Sequence, residues 1–311
     1  TVVASSQAHY THGRIAAVLG LPFDTVPCDR LGRMDVDALV DRLGRGDVAT
    51  VVATMGTTAT GAVDPLHRIH DLRRLHDFRL HADAAYGGYF ALASGLDAPA
   101  RAAFDRLGEA DSIVVDPHKH GLQPFGCGCV LFRDPSVGRF YRHDSPYTYF
   151  SSAELHLGEI SLECSRPGAA AVALWATQRM FPPVRGGTFA DGLDRSLAAA
   201  RRLHGHLAAG GRFVAPFPPE LDIVVFVPRA PSASRASELS RQVFNTAARR
   251  GLHLALADLP TAFFGGEAAF RDPDRPSVTC LRSVLMKASH LDWVDWIAGT
   301  LHAVAAPSVS S

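Results

Sequence analysis

Two short stretches decide how this chain is read: His81-Ala82-Asp83-Ala84-Ala85-Tyr86-Gly87-Gly88 and Asp116-Pro117-His118-Lys119-His120-Gly121. The first ends the apolar run Leu80 to Asp83 in an acid, after which the residues are small. The second closes the run Ser112 to Val115 with an acid and, three positions on, a lysine. Short apolar runs bounded by turn residues read as buried strands. Polar clusters at the carboxyl ends of such strands lie where parallel sheets bind ligands. Lys119 follows Asp83 by 36 positions. That leaves room for one crossover helix, so the acid and the lysine are expected at the tips of neighbouring parallel strands.

The surrounding sequence agrees. Upstream, Arg14 to Leu19 and Asp35 to Leu43 have helical spacing, and Val48 to Thr54 is a buried strand candidate. Asp64-Pro65 starts a helix whose Leu66, Ile69, Leu72 and Leu75 share one face. A helix over Ala100 to Leu107 precedes the second cluster, and Gly128 to Arg133 makes another strand. This alternation predicts a mainly parallel sheet covered on both faces. After Trp175 the pattern changes. A link rich in Pro and Gly leads to a long helix over Asp194 to Leu207, strands over Leu221 to Val227 and Val278 to Met286, and helices over Ser234 to Arg250 and Leu291 to Val304. The stretch Ala262 to Pro276 reads as turns. The expected organisation is a large α/β domain over residues 1–185 and a small α+β domain over 186–311.

Composition narrows the function. Of 311 residues, 47% are hydrophobic and 20% charged, enough to bury a substantial core. The 31 basic and 31 acidic residues cancel, so charge points to neither nucleic acid nor an anionic membrane. No apolar run reaches the roughly 18 residues of a membrane span, and no signal-peptide layout is seen at the amino terminus. A cytoplasmic protein acting on small molecules is expected. Five scattered cysteines suit reduced thiols, and Cys127-Gly-Cys129 is too close for zinc spacing, so no metal site is expected.

Only two of the basic residues are lysines, Lys119 and Lys287. Lysine, unlike arginine, can lose its proton and form a Schiff base where its surroundings depress its pKa, so Lys119 invites a chemical explanation. A carboxylate for a ring nitrogen and an amine for an aldehyde are what a pyridoxal cofactor requires.

These segments resemble the signatures of the group II decarboxylases dependent on pyridoxal 5′-phosphate (PLP), which include the aromatic amino-acid, glutamate and tyrosine decarboxylases. Ser5-Ser6-Gln7-Ala8-His9-Tyr10 and Ala53-Thr54-Met55-Gly56-Thr57-Thr58 match further family segments in order, and Ser165-Arg166-Pro167-Gly168 resembles another near the end of the large domain. The resemblance implies the aspartate-aminotransferase-like fold (fold type I) of PLP-dependent transferases, and a homodimer. It implies that Lys119 forms a Schiff base with PLP, Asp83 pairs with the pyridine nitrogen, His9 stacks on the ring, Ala85 packs on its other face and His118 helps hold the phosphate. Thr58 would lie near the phenolic oxygen or the substrate carboxylate. A tyrosine between Tyr141 and Phe150, represented by Tyr149, would protonate the α-carbon, and Arg166 would bind the substrate carboxylate.

Family members carry a phosphate-binding turn well before the His9 segment. This sequence begins almost at His9, so the usual amino-terminal part is expected to be absent and PLP to be held weakly. Three functions remain open at this level: decarboxylation of an L-amino acid to its amine and carbon dioxide, carbon–carbon lyase or aminotransferase chemistry with the same cofactor, and a silent subunit or fragment.

Overall fold

The computed structural model describes residues 1–140, 168–265 and 270–305. Its first sheet has six strands: β1 (Val2–Ser5), β2 (Phe23–Val26), β3 (Thr50–Thr54), β4 (Arg79–Asp83), β5 (Ser112–Val115) and β6 (Cys129–Phe132), in the order β2-β1-β3-β4-β5-β6. The pairs from β2 through β5 are parallel, and β6 runs antiparallel on the edge. Helices α1 (Thr11–Val18), α2 (Val36–Leu43), α3 (Leu66–Asp71) and α4 (Ala98–Asp105) lie in the connections. Asp35 caps α2 by accepting from the amides of Asp37 and Ala38, and Asp97 caps α4 by accepting from that of Ala100. These side chains satisfy amides that the first turn leaves unpaired.

Beyond 168 come α5 (Ala169–Met180), α6 (Thr188–Ala209), β7 (Phe213–Val214), β8 (Ile223–Pro228), α7 (Ala233–Ala248), β9 (Ala255–Pro260), β10 (Ser277–Val284) and α8 (His290–Val304). The four strands form an antiparallel sheet in the order β7-β8-β10-β9. Alternation along β8 explains why it is apolar throughout. Ile223, Val225 and Val227 join the core shared with the first sheet, whereas Val224 and Phe226 join a second core with Leu203 of α6, Val243 of α7 and Leu301 of α8. Successive side chains on a strand point to opposite faces, and both faces of β8 are covered.

Several expectations need correction. Leu75 is 83% exposed, not part of an apolar face, because α3 stops at Asp71 and the chain continues as a 3-10 turn from Leu72 to Arg74, which rotates Leu75 outward. The long helix begins at Thr188, earlier than its apolar spacing suggested, and α5 continues past Trp175 to Met180. Strands β1, β2 and β9 were not anticipated. They are four to six residues long, and β9 reads Ala-Leu-Ala-Asp-Leu-Pro, a composition that disfavours strand.

Two buried carboxyl groups support the end of β3. Asp64, wholly inaccessible, accepts from the amides of Met34 at 2.6 Å and Thr54 at 2.7 Å. Glu220 accepts from the Val63 amide at 2.9 Å and faces Arg33 at 3.4 Å. Burial pushes each up to about 7, from ordinary values of 3.8 and 4.5. Values raised on folding mean that this contribution to stability is complete below the unfolded values and is lost as pH rises through the folded ones. Between about pH 4 and 7 the pair is expected to withdraw on the order of several kcal/mol. Glu220→Gln should flatten the dependence of melting temperature on pH over that range, and an unchanged slope would remove Glu220 from the account.

Candidate functional site

Strands β4 and β5 pair in parallel with Asp83 opposite Val114, which brings the two polar clusters to the same edge of the sheet. The small residues after Asp83 have a steric reason. A Cβ on Gly87 would collide with the carbonyl of Met55, and one on Gly88 would lie 2.9 Å from Val115. Larger residues there would force the chain away from β3 and β5. Gly56, with φ +110, makes the turn after β3 in a region that side chains rarely adopt.

The strand ends open onto a cavity of about 420 Å³, whose lining includes His9, Thr58, Asp83, Ala85 and Lys119. His12, His81, Tyr86, Asp116 and Val130 line it as well. This volume is in the range of roughly 300–1,000 Å³ usual for small-molecule sites. His118 does not reach the lining. Its Nδ1 donates to the carbonyl of Cys127 at 2.6 Å, and its ring packs 5.3 Å from that of Phe125. Tyr149 and Arg166, with the Ser165-Arg166-Pro167-Gly168 element, lie outside the described residues.

Asp83 is 7% exposed. Its Oδ2 lies 2.8 Å from Nε2 of His12, and its Oδ1 accepts from the Ala85 amide at 3.2 Å. Burial pushes this carboxyl group up, but the hydrogen bond and charge of His12 together with the Ala85 amide outweigh it and hold Asp83 below its ordinary value. The cavity thus presents a fixed carboxylate. His9 is held low, first by burial and then by the charges of Lys119 and His12, against the opposing pull of Asp83 and Asp116. Its Nδ1 accepts from the Thr11 amide at 3.3 Å, so the ring offers a neutral face. His81 stands two residues before Asp83 on the same face of β4 and meets Ser112 Oγ at 2.8 Å; burial lowers its pKa.

Lys119 stands on the turn after β5, with Nζ 3.0 Å from Oδ2 of Asp116. Sequence reasoning did not single out His12, His81, Asp116 or Tyr86. Asp116 and Tyr86 stood inside the two quoted clusters, and His81 opened the first. His12 offered only its place three residues after His9, and its contact with Asp83 spans 71 positions.

The profile described as "Pyridoxal-dependent decarboxylase conserved domain" matches residues 1–229. An L-2,4-diaminobutyrate decarboxylase of Acinetobacter baumannii is 34% identical over 188 residues, covering 57% of this chain and 36% of its own length. An aromatic-L-amino-acid decarboxylase of Bacillus atrophaeus is 29% identical over 266 residues, covering 80% of this chain and 54% of its own. The chain therefore spans about half the length, or less, of these curated relatives. Among solved structures, Oryza sativa TDC with PLP and tryptamine superposes with a TM-score of 0.80 at 20% identity, covering 98% of this chain and 63% of that one. At that identity the likeness speaks for the fold.

Proposed function

Because the chain belongs to the pyridoxal-dependent decarboxylase family, we propose that it carries the cofactor-binding centre of an L-amino-acid decarboxylase, which converts its substrate to an amine and carbon dioxide. The observation that carries this reading is the meeting of the Asp83 carboxylate and the Lys119 amine in one cavity, at the ends of adjacent parallel strands. When bound, PLP supplies a protonated ring that takes up the electron pair left as carbon dioxide departs.

The chain's own groups suit that chemistry. Lys119 would hold the cofactor aldehyde and receive it back when product leaves. Asp83, fixed as a carboxylate, would keep a proton on the ring nitrogen. His9 would lie against one face of the ring and Ala85, with only a methyl group, against the other. Thr58 would face the phenolic oxygen or the substrate carboxylate. In this reading Tyr149 serves as general acid at the α-carbon and Arg166 as the carboxylate's partner, both assigned from sequence position. His118 remains the candidate for the phosphate, and reaching it requires its ring to leave the Cys127 carbonyl.

The reading extends to organisation. A large domain over 1–185 and a small one over 186–311 follow from the change of element pattern along the chain, a homodimer with the site near the interface follows the resemblance, and a cytoplasmic location is part of the same reading. Exposed apolar side chains support an apolar contact partner: Phe125 is 95% exposed, Val130 55% and Trp175 61%. Among the described residues, no helix is long and apolar enough to cross a membrane.

The direct test is to supply PLP and L-amino acids, beginning with aromatic ones and 2,4-diaminobutyrate, and to follow carbon dioxide and amine together. Equal amounts of both are expected. Keto acid or aldehyde without carbon dioxide would reject decarboxylation in favour of transfer or lyase chemistry. A second expectation concerns His12. His12→Leu removes the side-chain partner of Asp83, and a hydrogen bond to a charged group contributes roughly 1.5–3 kcal/mol. PLP affinity should fall about tenfold or more, and His12→Gln, which still donates, should lose less. Equal affinities for His12→Leu and the unchanged chain would show that His12 does nothing for the carboxylate.

A further inference from the structure

Behind Lys119, the next residue enters the interior. The His120 side chain is 1% exposed and its partner Asp222 0%. Nδ1 of His120 lies 3.0 Å from the carbonyl of Tyr86, and Nε2 lies 2.7 Å from Oδ2 of Asp222. A carbonyl only accepts, so Nδ1 donates there. The other oxygen of Asp222 accepts the Tyr86 hydroxyl at 2.5 Å. Both ring nitrogens thus face oxygen atoms within hydrogen-bond distance. The rings of Tyr86 and Phe90 stand edge-on to the imidazole at 4.7 and 4.8 Å, so it cannot swing without opening the core. Arg282 of β10 is the nearby cation, drawn down by burial and up by Tyr86 and Asp222.

The cluster joins three supports of the cavity. Tyr86 lines it, His120 follows Lys119, and Asp222 immediately precedes β8 of the second sheet. Lys119 itself has neither strand nor helix beneath it. Its turn is closed by the bond from its own amide to the Asp116 carbonyl at 2.9 Å and by that from Gln123 to Pro117 at 3.2 Å. On one side of the lysine His118 is tied to Cys127, and on the other His120 is tied to Asp222. Gly121 completes the fit, since a Cβ there would lie 2.5 Å from the Tyr89 hydroxyl and 2.7 Å from Pro117 Cα.

We propose that Asp222 and His120 form a buried clamp that fixes the direction in which Lys119 projects, by tying the lysine's turn to the cavity wall at Tyr86 and to the second sheet at β8. Both are positioning residues. The consequence for cofactor binding rests on the proposed function above, but the geometry does not.

Breaking one side of a buried ion pair strands the other charge, whereas replacing both sides with apolar groups is often neutral for stability. The informative variant is therefore His120→Leu/Asp222→Leu, with Asp222→Asn as the conservative comparison. An asparagine still accepts the Tyr86 hydroxyl and donates to Nε2 of a neutral His120, so the clamp's shape survives without its charge.

The chain has only two lysines, which permits a readout without cofactor. Reductive methylation with ¹³C-formaldehyde labels Lys119 and Lys287, and NMR follows each, with Lys287 as internal control. In the double-leucine variant the Lys119 signal should move to that of a free lysine, and borohydride-fixed PLP at Lys119 should form about tenfold more slowly or worse. Asp222→Asn should restore both to within about threefold. An unchanged Lys119 signal and unchanged fixation in a cooperatively melting double variant would overturn the proposal. If that variant does not fold, ¹⁵N-histidine labelling of the unchanged chain decides: a slowly exchanging Nδ1–H proton on His120 supports the clamp, and its absence refutes it. If the Lys119 signal moves as expected but the unchanged chain fixes no PLP at Lys119, the functional reading falls and the clamp stands.

Discussion

Lys119→Ala is expected to abolish borohydride-fixed PLP while the chain still melts cooperatively near its usual temperature. The amine is the group that would condense with the cofactor aldehyde, and alanine offers nothing in its place. The fold should survive. Lys119 is 32% exposed, and its ion pair, with Asp116 at 3.0 Å, lies within its own turn. Exposed or half-exposed pairs contribute about 0–1 kcal/mol. Lys287 cannot substitute, because it lines a different cavity of about 210 Å³ beside Met286 and Ala288, away from Asp83. Peptide mapping of the reduced complex is the measurement. Cofactor found on Lys287, or fixation persisting in Lys119→Ala, would overturn the assignment of Lys119.

Asp83→Asn is expected to lower turnover by about three orders of magnitude or more, roughly 4 kcal/mol of barrier, with a much smaller effect on melting. A neutral amide no longer favours a protonated ring nitrogen, and without that proton the ring is a poor sink for the electron pair. The amide keeps both contacts only if His12 Nε2, 2.8 Å away, changes from donor to acceptor, because the Ala85 amide at 3.2 Å still requires an oxygen. The strand pairing is untouched, because the bond from the Met55 amide goes to the Asp83 backbone carbonyl. Because Asp83 is held below its ordinary 3.8 in the fold, its own contribution to stability is present above that value and lost as pH falls through the folded one. Asp83→Asn should therefore soften the acid limb of the stability curve as well. Near-normal turnover in the variant would take Asp83 out of its proposed role.

Part of this protein was legible in one dimension. Strand and helix alternation announced a mainly parallel sheet, and two strand-end clusters announced where its cavity opens, since both signals depend only on local apolar spacing and on residue chemistry. Asp83, Ala85, His9, Thr58 and Lys119 were all named from sequence, and all five line the one cavity. The short strands β1, β2 and β9 were not legible, because four to six residues carry too little periodicity and their strand character comes from neighbours. Nor was the turn of His118 away from the cavity, which a single carbonyl at 2.6 Å decides. The partners of the chemical groups were also hidden. His12 meets Asp83 across 71 positions, and His120 meets Asp222 across 102. No local pattern records such a contact. Sequence determined which chemical groups the chain possesses and at which strand ends they stand. The tertiary structure alone decided which of them hold the others in place, because hydrogen bonds and buried charges act over a few ångströms of space, whatever the distance along the chain.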